Sequence, residues 1–189
     1  MANFTEAYDL TSAHEGGYVD DPTDRGGETY RGISRVHHPG WSGWQKIDTL
    51  KRRRGFPATL DADRSLLNSV KSFYKRKYWD RFLGDQVPDQ RLANELYDTG
   101  VNMGVRRAVR FLQNALNQLN RNQRNYQDLV VDGWLGQGTL KVLRQYLRLE
   151  RKPDLLLKVM NIQQGARYLE IMENDPAQEK YARGWLKRA

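Results

Sequence analysis

Apolar residues recur at helical spacing along most of the chain, and the breaks in that pattern divide it into segments. Phe4, Ala7, Tyr8 and Thr11 predict a first helix over 3–14, with Asn3 and Glu6 spaced as a capping box and Gly16-Gly17 as its stop. From 18 to 36 the helical period disappears. Asp-Pro and Arg-Gly-Gly turn chemistry precedes short β-prone pieces around 29–33, which predict a small hairpin. Residues 37–58 hold two Pro and three Gly and read as irregular. A strong helix is expected over 60–83, with Leu66, Leu67, Val70, Phe73, Tyr74 and Tyr78 on one face. Lys71, Lys75, Arg76 and Lys77 turn mostly away from it. Pro88 opens another helix, with Leu92 and Leu96 inward, that stops near Gly100 to Gly104. Val105, Val109, Leu112, Leu116 and Leu119 carry the next one, and 120–127 is a polar loop. Asp132-Gly133 marks a turn, with helices after it over about 137–149 and 154–174 and a last one carrying Tyr181 and Trp185. The expected fold class is mainly α (α+β) with a small N-terminal β-hairpin.

Composition narrows this little. The 189 residues suit one domain or two small lobes sharing a core. No repeat or flexible linker divides them. No apolar run is long enough to span a bilayer, and the N-terminal stretch lacks the basic and apolar regions of a Sec signal, so synthesis in the cytoplasm is expected. Cysteine is absent, which removes disulfides and thiolate chemistry. Charge does change the picture. There are 31 basic and 23 acidic residues, a net charge of +8. That balance suits nucleic acid, an anionic cell envelope, or nothing in particular. No nucleic-acid module appears, so nucleic acid is not an expected partner. The basic run Lys51, Arg52, Arg53 and Arg54 is either a solvated loop or a contact for an anionic envelope.

The chemistry concentrates in His14-Glu15-Gly16-Gly17-Tyr18-Val19-Asp20-Asp21-Pro22-Thr23-Asp24-Arg25-Gly26-Gly27-Glu28-Thr29-Tyr30-Arg31-Gly32-Ile33. Five carboxylates and five glycines fall within twenty residues. Glu15 is expected at a helix C-terminus, the negative end of the dipole, where a carboxyl tends to keep its proton. A general acid needs that property. Asp24 comes next across the hairpin, then Thr29. Two carboxyls facing each other over a cleft is the arrangement of glycoside hydrolysis. Asp24 can equally be a turn-former bonded to its own backbone, Asp20 and Asp21 read as turn residues, and Thr29 is either a strand residue or a water-positioning group. A helical zinc motif starting at His14 would need a second His at position 18, which is Tyr18, so no metal is expected.

The pattern Glu-Gly-Gly-Tyr-x-x-Asp-Pro-x-Asp-x-Gly-Gly-x-Thr-x-x-Gly-Ile resembles the start of glycoside hydrolase family 108. Those proteins are N-acetylmuramidases, many of them phage endolysins, once catalogued as secretion activators. The resemblance implies that Glu15 is the catalytic acid. The spacing Glu15, Asp24, Thr29 is also similar to the Glu–Asp–Thr triad of phage lysozymes, where the gap before Thr is usually one residue longer. Leu96-Tyr97-Asp98-Thr99-Gly100-Val101-Asn102-Met103-Gly104, with Ala108 and Phe111-Leu112-Gln113, resembles the family's mid-chain segment. Val131-Asp132-Gly133-Trp134-Leu135-Gly136 with Thr139-Leu140 resembles the signature of its peptidoglycan-binding half. Gly184-Trp185 with Arg188 resembles its usual ending.

The resemblance further implies a lysozyme-like helical fold and a muramidase acting on peptidoglycan. It would cleave the β-1,4 bond from N-acetylmuramic acid to N-acetylglucosamine without a cofactor, as a monomer. The expected division is a catalytic lobe at 1–93 and a peptidoglycan-binding half at 94–189, packed together. Tyr18, Trp41, Trp44, Tyr97 and Trp134 are candidate sugar-stacking platforms, although aromatics at such spacing also form cores. Asn102 is a helix cap or a ligand for a substrate acetamido group. The expected site of action is the periplasmic or extracellular wall, reached through a holin. The competing readings are a lytic transglycosylase and a non-catalytic wall-binding or virion protein.

Overall fold

The computed structural model describes residues 1–12, 16–21 and 26–189. Among them are eight α-helices and one three-stranded antiparallel sheet, the mainly α fold with a small β-element that the periodicity predicts. The chain forms two compact units. Tyr8–Lys77 is one, and Met1–Ala7 with Tyr78–Ala189 is the other.

The first helix, α1 (Phe4–Ser12), begins in the second of these units and ends in the first. Asn3 caps it, accepting from the Thr5 amide at 2.8 Å. The reciprocal half of a capping box does not form. The Asn3 amide donates to Gln90 instead, at 2.5 Å.

Within Tyr8–Lys77, strands β1 (Tyr18–Val19), β2 (Thr29–Tyr30) and β3 (Ile33–Ser34) pair in order, with Tyr18 opposite Tyr30 and Tyr30 opposite Ile33. The β2–β3 turn is Arg31-Gly32, both at positive φ (45° and 74°), as a two-residue turn matching strand twist requires. Gly32 takes that conformation freely. Arg31 is held in it by its surroundings: its carbonyl accepts from the Tyr74 hydroxyl at 2.9 Å and its guanidinium pairs with Asp61 at 2.8 Å. Residues 37–58, expected to be irregular, contain the helix α2 (Gly43–Leu50), which buries Trp44, Ile47 and Leu50. The expected helix over 60–83 is shorter and broken. α3 (Arg64–Tyr74) starts at Asp63, whose carboxylate caps the Leu66 amide. It runs into a π-helical turn, Lys75–Trp79, and a 3-10 turn, Asp80–Phe82. The extra residue of the π turn rotates the face inward, so Trp79 is fully buried while Tyr78, expected inside, is half-buried. Lys77, expected outward, meets His38 Nε2.

The second unit is helical. α4 (Gln90–Met103) begins with Asp89 capping the amides of Arg91 and Leu92. It packs on α5 (Val105–Gln118), α6 (Gln137–Glu150) and α7 (Asp154–Asn174) complete the core, and α8 (Ala182–Leu186) closes the chain. On α7 the buried residues are Leu156, Met160, Gln164 and Tyr168, an i, i+4 stripe. The family-like ending is structural here. Trp185 stacks on Tyr168 (ring centroids 5.0 Å apart) and Arg188 binds Asp98 of α4 at 2.6 Å. Phe4 and Tyr97 both pack edge-on against Trp79 within this unit.

Candidate functional site

The hairpin unit carries the acidic, glycine-rich segment, and its described carboxylates are not equivalent. Glu28 precedes β2 and its side chain is 11% exposed. It is ringed by donors: Lys51 Nζ at 2.9 Å, Arg35 at 2.9 Å and the Tyr18 hydroxyl at 3.1 Å. Burial works against its charge, but the bonds from Lys51, Arg35 and Tyr18 outweigh that and hold the carboxyl below its ordinary value. Glu28 is therefore a locked anion and unsuited to donating a proton. Arg35 also grips Asp48 of α2 through both guanidinium nitrogens, at 2.7 and 2.8 Å, so Glu28, Arg35 and Asp48 tie the hairpin to α2. Asp20 is exposed, 3.9 Å from Lys51. The basic run is thus not uniform: Lys51 is committed to Glu28, and its ammonium lies 5.7 Å from the Tyr18 ring centroid.

Glu15 and Asp24 lie outside the described residues. Thr29 is half-buried in β2, and its hydroxyl donates to the Gly27 carbonyl at 3.0 Å. Tyr18 is half-buried beside Glu28, its ring edge-on to Phe56. These residues share the hairpin unit.

The other aromatic candidates sit elsewhere. Trp41 and Trp44 are 6% and 2% exposed. They pack edge-on against each other at 5.1 Å, Trp41 stacks on Tyr30, and the Trp44 indole donates to the His38 carbonyl at 2.8 Å. Tyr97 is 1% exposed, between Phe4 and Trp79. The loop and helix positions of all three place their rings in cores, so no face is open for a sugar. Asn102 lies in the last turn of α4, exposed, its amide donating back to the Asp98 carbonyl at 2.8 Å. Trp134 differs from the other platform candidates: it is 60% exposed.

Two positions were not legible as candidates. Glu28 is one, indistinguishable in the sequence from its acidic neighbours. The other is Glu95 on α4. It accepts from Thr99 Oγ1 at 2.8 Å, and Asn161, in the orientation that satisfies its amide, donates to its other oxygen at 3.2 Å. Burial pushes the Glu95 carboxyl up to about 7, with Asp98 adding to the rise. A rise from an ordinary 4.5 corresponds to roughly 3 kcal/mol of preference for the protonated form. Because the folded-state value is raised, the stabilising contribution is full below about pH 4.5 and is lost as pH climbs through 7. Urea unfolding of parent and Glu95→Gln should therefore show the variant gaining relative stability between pH 4 and pH 8, by up to about 3 kcal/mol. A difference that stays constant with pH would refute the assignment. Among the described residues, no three His, Asp or Glu side chains gather as a metal would need.

The comparisons with known proteins divide the chain in two. Residues 8–104 match the family described as glycosyl hydrolase 108, and residues 107–189 match a predicted peptidoglycan domain. No protein of curated function matches the chain. Among solved structures, SagA of Brucella abortus shares the fold with a TM-score of 0.59, at 23% identity, over 98% of this chain and 88% of that one.

Proposed function

The chain belongs to the glycosyl hydrolase 108 family, and from that premise we propose that it is an N-acetylmuramidase that cleaves the β-1,4 bond between N-acetylmuramic acid and N-acetylglucosamine. With a peptidoglycan domain as its second half, it is a peptidoglycan hydrolase. The observation that carries the finer reading is the acidic segment itself. It falls inside the matched residues and offers Glu15 as the proton donor, with Asp24 to activate water or stabilise the developing cation. Glu28 supports this division of labour, because the one well-buried carboxylate among the described residues of the hairpin is held as an anion and leaves the acid role to another group.

The substrate lies outside the cytoplasmic membrane. A lytic role, with release through a membrane lesion such as a holin makes, fits such an enzyme. The exposed Arg52, Arg53 and Arg54 would favour contact with an anionic envelope.

Digestion of purified sacculi with mass analysis of the soluble products tests the reading. Fragments ending in reducing N-acetylmuramic acid are expected. Fragments ending in the anhydro sugar would identify a lytic transglycosylase, and reducing N-acetylglucosamine a glucosaminidase. Binding without release would leave only the non-catalytic reading.

A further inference from the structure

The loop before α6 presents its largest side chain to solvent on a rigid base. Gln113, 1% exposed on α5, binds that loop from beneath. Its carbonyl accepts from the Gly133 amide at 2.9 Å, and its nitrogen lies 2.9 Å from Asp132 Oδ1 and 3.1 Å from the Trp134 carbonyl. The Asp132 carboxylate also accepts from the Trp134 amide at 2.8 Å. The Gly133 amide and both the amide and carbonyl of Trp134 are thus bonded, yet the Trp134 indole is 60% exposed. A large aromatic ring left in water contributes no burial to the fold, while its loop is fixed by bonds that orient it. A ligand-contacting role accounts for the arrangement.

The indole borders a cleft of about 240 Å³ lined also by Arg81, Val105, Arg106 and Gly133. That is below the about 300–1,000 Å³ of sites for whole small molecules, so it fits the end of a larger ligand. Arg106 is oriented by a bond from its Nε to the Asp132 carbonyl at 3.1 Å. Neither Arg81 nor Arg106 forms an ion pair among the described residues. The nearest anion, Asp132, is turned toward the loop, its Oδ1 accepting from both Gln113 and the Trp134 amide, and these bonds, with the charge of Arg106, hold it below its ordinary value. The cleft therefore offers two guanidiniums and a flat aromatic wall, the pairing that recognises a carboxylate next to an apolar group.

We propose that this cleft binds the carboxylate-bearing peptide stem of peptidoglycan, so that the helical half reads the peptide and not the sugar backbone. The inference rests on peptidoglycan being the substrate. Charge decides the choice. In peptide-substituted glycan the sugars are neutral, and the free carboxylates lie on the stem. Two unpaired arginines would be wasted on a neutral pyranose, for which an aromatic platform with amide or hydroxyl partners suffices.

The test is binding to the full-length protein, tracked through the Trp134 indole N–H resonance, identified by its loss in Trp134→Phe. The probes are the sugar-free stem L-alanyl-γ-D-glutamyl-diaminopimelyl-D-alanine, the same peptide with every carboxyl amidated, and chitobiose. Saturable shifts with the free-acid peptide are expected, weakened about tenfold or more by amidation and by Arg81→Gln, the size of a lost charge-assisted bond. Arg81 has no bonded partner among the described residues, so its substitution should leave the fold intact. Equal response to chitobiose, unchanged binding in Arg81→Gln, or no response to the free-acid peptide would overturn the proposal. None of these probes contains the muramic acid linkage, so the outcome is independent of the product analysis on sacculi. A chain that binds the stem but releases no fragments would retire the muramidase reading and leave this one standing.

Discussion

Glu15→Gln is expected to lower the rate of sacculus hydrolysis by about two orders of magnitude or more, within the range for loss of a general acid. The substitution keeps the side chain's shape and removes its proton. Glu28, the best-buried described carboxylate of the same segment, is held ionised between Lys51 and Arg35, and a locked anion gives no proton to a leaving oxygen. The measurement is the initial rate of turbidity loss on sacculi, with circular dichroism to confirm that the variant is folded. A folded Gln variant working near the parent rate would remove Glu15 from the mechanism.

Gly133→Ala is expected to destabilise the helical unit by about 3 kcal/mol, from combined backbone strain and overpacking. Gly133 sits at φ +79°, where a side chain is strained. A Cβ there would lie 2.4 Å from Arg106 Cγ and 2.7 Å from the Arg106 carbonyl oxygen. The side chain could swing aside, but the carbonyl belongs to the first turn of α5 and could not. The natural control is Gly138→Ala on α6, where a Cβ meets nothing within 4 Å. There the change should be neutral or stabilising by a few tenths of a kcal/mol up to about 1. Urea unfolding midpoints of the two variants separate the cases. Equal midpoints would mean that the Asp132-Gly133 turn relaxes without cost. Since the same turn positions Trp134 and Arg106, the Gly133 variant should also lose affinity for the stem peptide.

Much of the helical half was readable from period alone. Val105, Val109, Leu112 and Leu116 lie on one face because a 3.6-residue repeat leaves them no other shared side. A small β-element after residue 18 was readable because the helical period stops there and turn chemistry with β-prone residues follows, but the observed Arg31-Gly32 turn falls inside the stretch that read as β-prone. The acidic segment was readable as a candidate site because its residue types, at that spacing, suit one kind of chemistry.

What the sequence could not hold was the identity of each residue's neighbour. Trp41, Trp44, Tyr97 and Trp134 are all aromatic residues with the same potential to stack on a ligand. Three became core because rings from other segments cover them, and the fourth stayed in water because a buried Gln113 holds its loop outward. α2 was hidden because Pro and Gly flank it and its helical period is short. Glu28 was one of five similar carboxylates until Lys51 and Arg35 arrived from outside its segment. Glu95 was an ordinary helix residue until packing removed its water. Period and turn chemistry act between residues a few positions apart, and a single chain carries them in its order. Burial, ionisation and exposure depend on side chains brought together across long stretches of sequence, so only the tertiary structure decided them.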